Sequence, residues 1–438
     1  MRICTKYQTL TLLICGLVAL LFSLSTQADS PQPNTLVLLP SKLSDLNNIV
    51  FTQDGRIGLV AAYSESDSSS GHFVYSFDAV TGEVIDTFDA SKVGAINPTK
   101  LAITSNNLLV ISASASVTDE SALLITPVNT DGSFELKHRI NIPFFVPMTD
   151  DDTILPDDVG LSADGKYGIY CNKATVFVFS TATGQTLFQE NVGIDVYSPQ
   201  NRLESFSYDP ISNRLGIVKQ KDAQYYLYVY SLTSDGHLEV KGLINALTDE
   251  IIGFGSKVAF NEDGTIVYIA SSNKGFVSSY DIQTASPIAR KYIVGLADIN
   301  EDDARFLPIN IQYNTNTRQI YIQKPGHIQK PGHIQKPGHI QKPGHIQKPG
   351  HISVVSSDLF QLSLDKEHTS PLTGFTVSQD GLMLYVGTAK GEFFKFNLAT
   401  PEDFLQINFG DLLQLGLNEQ AQKVVLTHPE GLNLLNAN

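Results

Sequence analysis

A turn ending in Asp-Gly, an apolar run, a small polar turn, a second apolar run and a Thr-Gly-like turn recur along nearly the whole 438-residue chain. That order predicts an all-β fold, a single ring of four-stranded antiparallel meanders known as a β-propeller. The clearest unit is FNEDGTIVYIASSNKGFVSSYDIQT at 260–284. The apolar runs give a second indication. Val176, Phe177, Val178 and Phe179 are hydrophobic on both pleat faces, as expected of a strand covered on both sides by neighbouring sheets.

Taken in order, FTQDGRIGLVA (51–61), LSADGKYGIY (161–170) and VSQDGLMLYVG (377–387) each place Asp-Gly between apolar segments, and are read as first hairpins with two-residue turns. Second hairpins are marked by VYSFDAVTGEVI (74–85), VFVFSTATGQTL (176–187), LYVYSLTSDGHLEV (227–240) and FFKFNLATPEDF (393–404). First-hairpin turns fall near Asp54, Asn106, Asp164, Pro210, Asp263, Asn316, Asp380 and Gln420, which makes eight blades. Seven is the alternative, because 99–142 lacks a clear Asp-Gly. The last unit, 412–435, supplies only three strands, and the segment 35–39 has no other partner. The N-terminal strand is therefore expected to complete the C-terminal blade and close the ring, removing an exposed sheet edge.

Residues 1–28 stand outside this pattern. Arg2 and Lys6 precede an apolar run at 10–24, and Thr26-Gln27-Ala28 offers small residues for cleavage, the layout of a secretory signal peptide. The run is shorter than the ~20 residues of a spanning helix, which disfavours an uncleaved anchor. Ile14 stands before Cys15 where a lipid-attachment motif has a small residue. Residues 29–438 are then the propeller domain, exported to a periplasm, the cell exterior or the cell surface. Of three cysteines only Cys171 remains after cleavage, so no internal disulfide is expected and Cys171 reads as a buried structural thiol. Loss of Arg2 and Lys6 moves the formal charge from −15 to −17. An acidic body of this kind argues against nucleic acid and anionic membrane surfaces as partners, no stable membrane insertion is expected once the signal is removed, and a monomer is expected. Asn97-Pro98-Thr99, the one Asn-x-Thr match, is blocked by proline, which agrees with a bacterial source.

IQKPGH occurs five times at 322–351 and holds His327, His333, His339, His345 and His351, half of the ten histidines. Removing four copies leaves RQIYIQKPGHISVVSS, a strand, a Pro-Gly turn and a strand. The tract is accordingly an insertion in one hairpin loop of blade six, with proline at every sixth position forbidding a helix. Tandem duplication tolerated by a loop is the plain reading, since each doubling of loop length costs only ~0.6 kcal/mol. The alternatives are capture of Zn²⁺, Cu²⁺ or Ni²⁺ by the five imidazoles, or surface attachment through Lys324, Lys330, Lys336, Lys342 and Lys348. Loops between second and third strands leave the ring on the same face as the connections between blades. Asp150, Asp151, Asp152, Asp157 and Asp158, with Glu301, Asp302 and Asp303, belong to such connections. Asp150, Asp152, Asp157, Glu301 and Asp303 are the candidate hard-oxygen ligands for Ca²⁺, against a solvated surface as the ordinary reading.

Several chemistries are excluded by what is missing. The chain has no tryptophan, no C-x-x-C-H, no WD dipeptide and no sialidase Asp-box. Tyr225, Tyr226, Tyr228 and Tyr230 suggest a stacking platform, but strand tyrosines ordinarily pack between blades.

The units at 258–295 and 377–400 resemble the YVTN family of propeller repeats, with Tyr268-Ile269-Ala270-Ser271 and Tyr385-Val386-Gly387-Thr388 at the eponymous position. The resemblance implies a rigid binding scaffold of the surface-layer-like or lactonase-like kind, and transfers no catalytic residue. The expectation is a protein that binds a protein or small-molecule ligand on its inter-blade loop face. A lactonase-like hydrolase with a metal or carboxylates in the central channel is the enzyme alternative, and a structural cell-surface protein is the third class.

Overall fold

Each unit begins with a short inner strand ended by a turn that its own side chains specify. In blade one the Thr52 hydroxyl donates to Asp54 at 2.7 Å, Arg56 N–H donates to the same carboxylate at 3.1 Å, and Gly55 N–H donates to Thr52 O at 2.8 Å. Thr52 pairs with Ile57, so the turn spans four residues with Gly55 alone at positive φ (67°). This corrects the two-residue hairpin expected from the sequence. One left-handed residue after an Asx-type bend suffices, and Asn213, Arg318 and Gln422 take that role in blades four, six and eight at φ of 54°, 53° and 51°.

The computed structural model describes residues 36–39, 48–62, 72–115, 121–142, 158–172, 175–191, 202–221, 224–246, 256–271, 275–294, 310–324, 326, 349–410, 412–428 and 431–437. The described strands form eight four-stranded antiparallel sheets in which sequence neighbours pair in order. Seven are simple meanders, at 49–89, 95–142, 158–191, 202–246, 257–292, 310–368 and 372–408. The eighth takes three strands from 414–436 and its outer strand, Leu36–Leu38, from the other end of the chain. Inner strands touch from blade to blade, and Gln414–Asn418 of blade eight meets Ile49–Phe51 of blade one, so the ring is closed. The region 99–142 is a blade like the others. Its irregularity is a register shift between Ile96 and Lys100 with Asn97 at φ 50°, and its turn uses Asn107 at φ 59° in place of glycine.

The core lies between blades. Val176 and Val178 of blade three pack with Ile217 and Tyr230 of blade four, while Phe177 and Phe179 on the other pleat face pack with Val110 and Leu123 of blade two. The chain ends are joined the same way, since Leu39, Val425 and Leu432 share a cluster with Val60, Tyr75 and Phe77. Cys171 is buried in Tyr167–Asn172. Two glycines admit aromatic rings: a Cβ on Gly168 would lie 2.0 Å from the Phe179 ring, and one on Gly58 would lie 2.2 Å from the Phe77 ring. Among the described residues no helix is long and apolar enough to cross a membrane. The proposed cleavable segment, 1–28, lies outside the described residues.

Turn chemistry differs between hairpins. The Thr/Ser/Asn-x-Asp-Gly turn joins the first two strands in blades one, three, five and seven, at 52–55, 162–165, 261–264 and 378–381. It also joins the last two strands of blades two and four, at 129–132 and 233–236, and of blade six at 356–359 with Leu359 (φ 63°) in place of glycine. Blade two carries the same bend in its first hairpin at 104–107, with Asn106-Asn107 for Asp-Gly. The complementary turn, opened by Asp209 and Asn314 in blades four and six, closes the last hairpin of blades one and five from Asp78 and Asp281.

Candidate binding face

The meander places first-to-second and third-to-fourth strand turns on one face of the ring, and second-to-third loops with inter-blade connections on the other. The turn face is occupied by the turns' own bonds. Asn418 Nδ2 donates across the chain closure to Gly55 O at 2.7 Å, and Gln53 N–H donates to Asn107 Oδ1 at 3.0 Å. Arg214 Nε reaches Gly264 O at 3.0 Å, Tyr313 OH donates to Glu262 at 2.6 Å, and Asn316 Nδ2 donates to Gln379 O at 2.6 Å. Hydrogen bonds from the neighbouring turn groups hold Asp54, Asp263 and Asp380 below the usual carboxylate range. These carboxylates organise turns; they are not arranged to converge on a ligand.

The loop face is anchored at blade six by the ends of the IQKPGH tract. Gln319–Lys324 and Gly350–Ser356 pair through Lys324↔His351, so Ile322, Gln323, Lys324, Gly350 and His351 are strand residues. The expectation that the whole of 322–351 is loop is corrected at both ends. His351 is 6% exposed, and a 2.5 Å hydrogen bond joins its Nε2 to Asp365 Oδ1 on the outer strand Leu362–His368. Ser353 Oγ donates to the same oxygen at 2.8 Å. Burial opposes ionisation of Asp365, but the bonds from His351 and Ser353 outweigh it and hold the carboxyl below its usual value. With Asp365 ionised, Nε2 carries the hydrogen and the buried Nδ1 has no hydrogen-bond partner.

On the opposite pleat face, His368 packs its ring edge against Phe394, centroids 4.6 Å apart, with Nε2 buried and unbonded. Burial, then the charges of Lys366 and His351, lower its pKa to about 4. Beside it, Glu392 of blade seven accepts from Ser370 Oγ at 3.1 Å, Thr388 Oγ1 at 3.3 Å and Gln406 Nε2 at 3.3 Å, locking that blade's loop end. In blade four Tyr226, Tyr228 and Tyr230 form a row with centroid spacings of 6.5 and 6.4 Å, and Lys219 Nζ sits 4.5 Å from the centre of Tyr228. Tyr228 and Tyr230 pack with blade three, as expected of strand tyrosines.

Of the candidate metal ligands, only His351 is within the described residues, and it is committed to Asp365. His327, His333, His339, His345, Asp150, Asp152, Asp157, Glu301 and Asp303 lie outside them. No three His, Cys, Asp or Glu residues among the described ones are grouped to hold a metal ion. Asp209 is the one inner-strand carboxylate with a described side chain, and it caps its turn by accepting from Ile211 and Ser212. Asp365, Ser353 and His368 carry no linear signal. Cross-strand register is what brings Ser353 opposite Asp365.

No family model matches the chain, and no curated protein matches it in sequence. Its backbone is similar to that of solved propellers. Chaetomium thermophilum Sqt1, in a crystal structure bound to the N-terminus of the ribosomal protein L10, aligns with a TM-score of 0.61 at 12% identity over 92% of this chain and 99% of that one. The Dos1 propeller gives 0.58 at 11% over 93% and 95%, and the computationally designed Ika8 protein 0.56 at 14% over 92% and 98%. At these identities the likeness shows the fold alone.

Proposed function

We propose that this chain is an exported propeller scaffold that binds a protein segment through its inter-blade loop face. The observation that carries the reading is the division of labour between faces. Several turn-face polar groups, those of Asn418, Gln53 and Asn316 among them, are engaged in blade-to-blade hydrogen bonds, whereas the Lys- and His-bearing IQKPGH tract joins the sheet at Lys324 and His351 on the other side. The partner class is supported by Sqt1, a propeller of similar architecture whose crystal structure holds the N-terminus of another protein. Export rests on the charge and apolar pattern of 1–28. The repeat likeness to the YVTN family at 258–295 and 377–400 agrees with a periplasmic or cell-surface scaffold.

Photo-crosslinking residues placed at exposed Gln224 and Lys390 on the loop face, and at exposed Gln53 and Gln379 on the turn face, test this in cells that export the protein. Adducts from the first pair and none from the second are expected. Adducts from the turn face alone would refute the assignment. Mass spectrometry of the exported chain is expected to find Asp29 at the N-terminus, and a chain retaining Arg2 would contradict cleavage.

A further inference from the structure

We infer that the fold of blade six is indifferent to the number of IQKPGH units, so that tract length on the loop face varies independently of the sheet. The fold uses two half-units. The first copy gives Ile322, Gln323 and Lys324 to the second strand, and the last gives Gly350 and His351 to the third, all five buried. Because every copy is identical, removing or adding whole units always leaves IQK leaving the sheet and PGH entering it. A single copy would leave Lys324 and His351 paired across Pro-Gly alone. The ring already accepts two-residue connections at the equivalent place, between Asn172↔Thr175, Lys221↔Gln224 and His428↔Gly431.

Phase, unlike copy number, is fixed by contacts. A Cβ at Gly350 would lie 2.5 Å from Leu372 Cγ and 2.8 Å from Leu372 N, so that position demands glycine. The next position demands the imidazole that meets Asp365. Six is an even number, so a slip by one unit preserves which pleat face each side chain takes, and alternation alone does not oppose it. What opposes it is the residue set brought in. A one-unit slip of the third strand would place Lys348 at the fully buried site of Val354 and Pro349 at that of Val355. The third strand is hydrogen-bonded on both sides, where proline forfeits a ladder bond. Proline in each unit thus opposes the slipped register of the third strand.

The test uses three full-length variants: one copy (deletion of 325–348), nine copies, and a phase-shifted chain lacking only 349–351, which puts Gln347 and Lys348 where Gly350 and His351 stand. The one- and nine-copy chains are expected to melt with no downward shift beyond that of a lengthened loop, and His351→Ala is expected to lower the melting temperature equally in one-copy and five-copy backgrounds. The phase-shifted chain is expected to melt several degrees lower although it changes tract length by only three residues. Unfolding of the one-copy chain, a copy-dependent effect of His351→Ala, or parental stability of the phase-shifted chain would each overturn the inference.

Discussion

Replacing His368 with leucine should remove most of the pH dependence of stability between neutrality and pH 4.5. The imidazole is 4% exposed, set against Phe394 and Phe396, with Lys366 and His351 as the charges that disfavour its protonation after burial itself. Its pKa falls from 6.5 in the unfolded chain to about 4 in the native one. Above pH 6.5 the ring is neutral in both states and its contribution is fully present. As the pH falls toward 4 the unfolded chain takes the proton first and the native state loses stability. Below 4 both states are charged and the loss stops growing. A difference of about 2.5 pH units at 1.36 kcal/mol each amounts to about 3 kcal/mol, of which roughly 2.5 is lost by pH 4.5. Asp54, Asp263 and Asp380 have native values below their ordinary 3.8 and lose their contributions only at lower pH. His72, also lowered by burial, acts in the same window and sense. Urea unfolding at pH 7.5, 6.5, 5.5 and 4.5 reads the slope directly. Parallel slopes for the parent and His368→Leu would refute the reasoning.

Three further substitutions probe the ring. Gly168→Ala should destabilise by about 1–3 kcal/mol, because the methyl group meets the buried Phe179 ring, and Phe179→Leu in the same chain should recover part of the loss in chemical unfolding. Asn418→Ala removes a buried bond across the closure and leaves Gly55 O unpaired, a loss of about 1–3 kcal/mol by the same assay. Asp365→Ala strips His351 of its bond and Ser353 of its acceptor, and should cost a similar ~1–3 kcal/mol, more than Asp131→Ala on the exposed turn of blade two.

Much of the architecture was legible in the sequence because turn chemistry is local. Asp54-Gly55, Asp164-Gly165, Asp263-Gly264 and Asp380-Gly381 declare their bends through residues adjacent in the chain. The orphan apolar segment at 35–39 announced the closing strand for the same reason: a strand without a local partner must find a distant one. Blade two was harder to see because Asn107 supplies the left-handed angle that glycine supplies in blades one, three, five and seven. The Thr233-Ser234-Asp235-Gly236 bend was placed correctly in a second hairpin because the run Leu227–Tyr230 ahead of it follows a first hairpin already marked near Pro210. Contacts made by register left no local trace. Gly168 beneath Phe179 and His351 against Asp365 depend on which residues face each other across strands, and period-two alternation does not specify that pairing. The acidic connections and interior histidines, nominated from composition, lie outside the described residues.

Closure of the ring by its two chain ends is the claim on which the two faces depend, and amide hydrogen exchange at Gly431–Asn436 tests it most directly. In the complete chain this strand is covered on both edges, by Lys423–His428 and by Leu36–Leu38, and its amides should exchange slowly. In a chain lacking residues 1–39 that protection should collapse and the loss should spread to Lys423–His428. Equal protection of Gly431–Asn436 in both chains would contradict the closed ring.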